Sequence, residues 1–423
     1  MKIGTSKKCI TTKLPVYLAG FDTDTRNFVG EKHDDIFIRA VALIGKKPVI
    51  IVAGDALAFS RDLADKTAEK ITEATGVPRE AILFNASHTH SAPQASPLVS
   101  PGIGPYLDEY GEFFYKTAEE AAIEAFRTAE EGVVTYHTAE ANGISVNRRL
   151  VVNGECRFAP NLTGIVNNEL TVIKAVCGGK TKALICEFAC HPSTIGDDMI
   201  TSDYPGAGMR FLEEENEGLT ALFIQGCCGN IRVRSLNESK TGFDSATYDN
   251  VLEYGRLLHD AAVKAASSAG KPVSDDISCI LDRFEIGMKP KRTRREYAQE
   301  MVFSKDLCTR VAAARYYDRY NELPETTPFS VQRITLGDTL ELVALEGEVC
   351  IEFDYSIKAM APGKHVAVAG YSNGMAGYIC TEAMYDEGGY EPDRSASCYY
   401  AREGFLPDTE KLILAHAKSI LEK

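Results

Sequence analysis

The sequence predicts an α/β fold with mixed β-sheets flanked by helices, and three observations predict it. Apolar runs of strand length alternate with longer stretches of helical pattern. At least two pairs of runs are joined through glycine-containing turns, so antiparallel hairpins accompany the parallel strands. Unusual polar clusters also fall just past the ends of apolar runs, where open α/β sheets collect ligands.

The elements follow in order. Val49-Ile50-Ile51-Val52-Ala53 reads as a buried strand ending at Gly54-Asp55. Ser60 caps a helix that runs to Ala74 and is stopped by Gly76 and Pro78. A strand over 81–86 delivers His88 and His90, and 105–127 forms a second helix. Residues 133–137 have strand composition, and Asn147-Arg148-Arg149 begins a loop. Runs at 170–176 and 183–188 pair as a hairpin through Cys177-Gly178-Gly179-Lys180. A strand at 220–224, a helix at 246–266 and a strand at 277–286 come next. The stretch 294–323 reads as one charged helix. Residues 331–336 and 340–345 form a second hairpin, 350–358 is ambiguous, 365–369 is a strand and 407–421 is a final amphipathic helix. The chain 1–423 reads as a single domain, with lobes at 1–270 and 271–423 around one strand-end site.

Composition narrows the partners. The chain has 423 residues, 44% hydrophobic and 25% charged, enough for a large core. A net charge of −14 argues against nucleic acid and against an anionic membrane surface. One basic run, Lys289 to Arg295, reads as a solvated face. No run approaches a membrane span and no apolar leader of signal length opens the chain. Twelve scattered cysteines without CxxC spacing read as reduced thiols in a cytoplasmic protein. A small-molecule substrate is the expected partner, and the sequence leaves a homo-oligomer open.

The strand-end clusters carry the chemistry. Side chains i and i+2 of an extended segment share a face, so His88 and His90 point into one cleft. That pair suits a zinc site, or one ligand beside one proton carrier. His191 follows the 183–188 run, and Gly226-Cys227-Cys228-Gly229-Asn230 follows 220–224. Glu348 follows 340–345, and Asn373 and Tyr378 follow 365–369. Two or three histidines with a carboxylate form a plausible catalytic Zn2+ set, which would activate water and polarise an acyl oxygen. Each member also has a plain alternative: His191 ends a strand, Glu348 caps a helix, Tyr378 fills the core.

Ser87-His88-Thr89-His90-Ser91-Ala92-Pro93 resembles the SHTHSGP signature of neutral (alkaline, non-lysosomal) ceramidases. Asn147-Arg148, His191-Pro192-Ser193-Thr194 and Gly347-Glu348 resemble that family's NR, second-histidine and PGE elements. Asn373, Tyr378, Thr381, Tyr385 and Tyr390-Glu391 resemble its closing run of Asn, Tyr and Thr that ends in YE. The resemblance implies zinc held by His88, His191, Glu348 and Tyr378. It places His90, Arg148 and Tyr390 toward the substrate as proton carrier or oxyanion donors. Family members cleave the amide of ceramide to sphingosine and fatty acid.

The chain departs from the pattern. Gly229-Asn230-Ile231-Arg232-Val233-Arg234 stands where the family has GDVSPN, so Arg232 replaces an active-site serine. Met375 stands where the family has a tyrosine. The appended C-terminal β-sandwich and a secretion signal are missing, which suits a short bacterial branch. The leading expectation is a zinc-dependent hydrolase using metal-activated water on an amide or related acyl bond. Its substrate is small and polar, and anionic if Arg232 binds it; Asn373 is a second candidate substrate-binding residue, and Arg232 has a structural ion pair as its alternative. A true ceramidase and a catalytically inactive metal-dependent binding protein are the two alternatives.

Overall fold

The computed structural model describes residues 1–25 and 30–423. The chain opens with β1 (Lys2–Cys9), β2 (Phe37–Ile44), β3 (Pro48–Gly54), α1 (Arg61–Thr75), β4 (Ile82–Ala86) and α2 (Asp108–Arg127). It continues through β5 (Glu130–Glu140), β6 (Ser145–Val152), β7 (Glu155–Asn161), β8 (Glu169–Cys177) and β9 (Lys180–Phe188). Next come α3 (Asp203–Glu215), β10 (Thr220–Gln225), β11 (Ile231–Val233), α4 (Tyr248–Ser267) and β12 (Lys271–Val273). The last third holds β13 (Ile277–Gly287), α5 (Arg294–Phe303), α6 (Leu307–Asp318), β14 (Thr326–Leu336), β15 (Leu340–Leu345) and β16 (Glu348–Val349). It closes with α7 (Glu352–Lys358), β17 (His365–Ala369), β18 (Tyr378–Ile379), α8 (Glu382–Glu387) and α9 (Thr409–Leu421).

A nine-stranded sheet takes the order β10-β9-β8-β5-β1-β2-β3-β4, with β12 added at β5. A four-stranded sheet takes the order β13-β14-β15-β17. The two sheets stack face to face. Val49, Ile51 and Ala53 of β3 share a core with Leu340, Leu342 and Ala344 of β15, while Ile50 and Val52 face the helix side with residues of α1 and α2. That alternation explains why β3 reads as a continuous apolar run: both of its faces are covered. On the outer face of the second sheet, Val343 and Val368 pack with Phe353 of α7 and Ile413 of α9. The result is four layers, helix, sheet, sheet, helix. The chain passes from the first sheet to the second at residues 274–276, close to the division expected at 270.

The parallel pairs decide where a site can form. β3/β4, β9/β10 and β15/β17 are all parallel. Bridges Asn85↔Ser372 and Gly226↔Ala369 tie their carboxyl ends together across the two sheets. A small sheet, β11-β6-β7, lies beside that junction through the His191↔Arg232 bridge.

Four expectations are revised. The stretch 294–323 is not one helix: Ser304 adopts extended backbone, and the Asp306 carboxylate accepts from the Thr309 N–H (2.6 Å) to start α6 afresh. Asn147-Arg148-Arg149 is not a loop but part of β6, with a bulge between Asn147 and Arg149 that re-aims Arg148. Ser60 precedes α1 without a capping bond from its hydroxyl. The ambiguous 350–358 segment contains α7, and β1 and β2 were not foreseen. Among the described residues no helix is long and apolar enough to cross a membrane.

Candidate active site

β4 ends at Ala86, and the chain turns sharply there. The Ser87 N–H donates to the Gly54 carbonyl and the His88 N–H to the Ala56 carbonyl, both at 2.9 Å. His88 has φ of 66°, in the left-handed region that a non-glycine residue rarely occupies. The extended geometry expected for His88 and His90 is therefore not what joins them. The turn does: their Nε2 atoms approach to 3.3 Å with the rings nearly perpendicular.

His191, past the end of β9, brings its Nε2 to 3.1 Å from that of His88. Glu348, the first residue of β16, places Oε2 at 3.2 Å from both. His88, His191 and Glu348 are essentially inaccessible to solvent. His88 Nδ1 lies 2.7 Å from the Leu57 carbonyl and His191 Nδ1 lies 3.0 Å from the Cys228 carbonyl. A carbonyl only accepts, so in each neutral ring Nδ1 holds the proton and Nε2 presents a lone pair. Burial and the Arg148 charge push His191 down to about 4, which keeps its ring neutral near pH 7.

Two lone pairs and a carboxylate oxygen therefore face one point, an arrangement that repels itself unless a cation sits among them. Ligand atoms about 2.0–2.2 Å from a tetrahedral zinc lie about 3.3–3.6 Å apart. The separations among His88, His191 and Glu348, 3.1–3.2 Å, are slightly shorter than that spacing. Carbonyls fixing the far ring nitrogens are also the usual outer support of metal-binding histidines. His88, His90 and His191 together form a group whose ligand atoms all fall within 4.8 Å, so His90 belongs to the same cluster.

Tyr378 pairs with Glu348 across β16 and β18, and its hydroxyl accepts from Arg148 Nη2 (2.8 Å). Arg148 is held by Glu391, which accepts from Nε at 2.9 Å. The same carboxylate accepts from Arg149 at 2.8 Å, so one acid orients two guanidinium groups. Tyr390 stands 5.5 Å from the Tyr378 ring and 5.7 Å from the Arg148 guanidinium, measured to ring centres.

Arg232, in β11, lies over the Phe243 ring at 4.2 Å and near Phe158 at 5.9 Å. Its Nε is buried without a hydrogen-bond partner, and no carboxylate pairs with it among the described residues. Burial, then the Arg148 charge, push its guanidinium down to about 10.

Asn373 is not brought to the cluster. Its Oδ1 accepts from the Phe84 N–H (3.2 Å) and Arg79 (3.3 Å), and its Nδ2 donates to Gln332 (2.7 Å). The amide thus braces β4 against β14, and a substrate-binding role is withdrawn for it.

Sequence reasoning missed two tyrosines. Tyr371, just past β17, donates to Glu348 Oε2 (3.4 Å) and lies 4.4 Å from the His88 ring, centre to centre. Its position after a strand end was a usable signal. Tyr399 donates to Glu348 Oε1, and nothing local in its sequence marks it.

No family model matches this sequence, and no curated protein does. Solved structures that share its fold include two ceramidases. Neutral ceramidase from Pseudomonas aeruginosa aligns with a TM-score of 0.77 at 18% identity, over 100% of this chain and 74% of that one. A ceramidase complexed with C2 aligns with a TM-score of 0.77 at 17% identity, over 99% and 74%. The fold of the whole chain is therefore neutral-ceramidase-like.

Proposed function

We propose that this chain is a zinc-dependent hydrolase that cleaves an amide or related acyl bond in a small polar, anionic substrate. The observation that carries the reading is the convergence of the His88 and His191 Nε2 atoms on Glu348 Oε2 at 3.1–3.2 Å, with both Nδ1 atoms committed to carbonyls. His88, His191 and Glu348 would hold the metal, with Tyr378 as the fourth group. Zinc there supplies Lewis acidity toward an acyl oxygen and toward water.

The chain's own residues supply the rest. His90, half-buried beside His88, takes a proton from the attacking water and returns it to the leaving group. Arg148, oriented by Glu391, and Tyr390 present donors to the oxyanion that develops on the acyl carbon. Arg232, without a counterion, takes the anionic part of the substrate.

Cleavage of a lipid amide is the second reading, and the fold shared with two ceramidases favours it. Against it stands the unpaired Arg232 guanidinium beside the cluster, which suits a carboxylate better than a sphingoid chain. A panel of N-acyl and O-acyl compounds, with and without a carboxylate, and ceramide alongside, separates the two. Turnover confined to anionic acyl compounds supports the first reading; turnover of ceramide alone overturns it.

A further inference from the structure

The chain carries 60 acidic and 46 basic residues, so acids outnumber bases. Part of the basic run singled out in the sequence is paired: Lys289 with Asp393, and Arg292 with Glu300 and Glu403. Two arginines outside that run, Arg315 and Arg402, have no ion-pair partner among the described residues. Arg315 of α6 lies over the Tyr400 ring at 4.2 Å and meets no carboxylate among the described residues. Arg402 is 5% exposed, and its Nε is buried without a hydrogen-bond partner.

Both line one cavity of about 330 Å³ between α6 and the segment 400–402. The one carboxylate in that wall, Glu322, is taken by Arg319 at 3.1 Å. The backbone holds the pair in place. Tyr400 and Arg402 have φ of 54° and 52°, and the Arg402 N–H donates to the Tyr316 hydroxyl at 2.9 Å. Two like charges with no counterion in one recess repel each other and lose hydration, and an anion between them removes both penalties.

We propose that this cavity binds a small oxyanion, a phosphate or carboxylate group clamped by Arg315 and Arg402. Planar guanidinium groups suit such ligands because each offers paired donors. The site is separate from the histidine cluster and does not depend on the reading given to that cluster.

Calorimetric titration of the purified protein with inorganic phosphate, and separately with succinate, tests it. Saturable binding of either probe is expected, and the preferred probe identifies the class. Arg315→Gln and Arg402→Gln should each weaken that binding by about tenfold or more, the loss expected when a charge-assisted hydrogen bond is removed. Arg232→Ser should still bind. Absence of binding to both probes overturns the proposal. So does binding that survives both substitutions, or binding lost in Arg232→Ser, which places the ion beside the histidine cluster instead.

Discussion

The two oxygens of Glu348 face opposite partners: Oε2 turns to His88 and His191, and Oε1 accepts the hydroxyl of Tyr399. Tyr399 therefore sets the angle at which the carboxylate meets the histidines, from a segment 51 residues away in sequence. Groups in that position tune metal sites without touching the metal. Tyr399→Phe should keep the fold and lower zinc affinity by about 10–100-fold. Competition against a chromophoric chelator measures this, and equal affinity in both proteins would remove Tyr399 from the support of the site.

Arg232 is a fixed cation that is neither nucleophile nor base. Arg232→Ser should weaken transition-state binding of the natural anionic substrate by about 2 kcal/mol, the range for charged hydrogen bonds, with zinc content unchanged. Ceramidase activity should not appear from the serine alone. kcat/KM and melting temperature are compared in both proteins. Unchanged turnover with a lower melting temperature would make Arg232 a brace for β11 and end the case for an anionic substrate.

The strand ends were legible because local patterns carry them. Buried parallel strands read as apolar runs, and the polar residues just past them are conspicuous, which is how His88, His191 and Glu348, which the structure brings together, were singled out. What happens after a strand end is set by tertiary contacts. The positive φ at His88, the bulge at Arg148 and the position of Tyr399 leave no periodic trace. Asn373 failed for the same reason: a polar residue after a strand can brace the neighbouring strand as readily as meet a ligand. The break at Ser304 was hidden because a capping aspartate inside a charged stretch resembles any other surface acid.

Glu187 at the end of β9 gives a pH signature. Burial, only partly opposed by Lys358, pushes its carboxyl up to about 8 from 4.5. A folded pKa above the unfolded one means that the folded chain binds more protons between those values. The stability from the neutral form is thus full below pH 4.5 and is lost as pH rises to about 8. Relative to Glu187→Gln, the wild type should lose stability over that window, by at most about 1.4 kcal/mol per pH unit, and then level off. Denaturant midpoints of both proteins across the range check this. Parallel curves would show that Glu187 does not titrate there.

All twelve cysteines are free, nine of them buried, while Cys9 is exposed. Thiol titration of denatured, unreduced protein should return about twelve groups per chain, since no pair here forms a stabilising crosslink. In the native protein Cys9 should react first. A count lower by several would signal disulfides and contradict a reducing compartment.

Metal dependence is tested most directly by acyl-substrate turnover in protein stripped with a chelator and then titrated with zinc. Activity should vanish on stripping and return in full at about one zinc per chain. His88→Ala and His191→Ala, treated alike, should neither retain the metal nor regain activity. Undiminished turnover in metal-free wild type, or full zinc occupancy in both variants, would contradict a metal centre built on His88, His191 and Glu348.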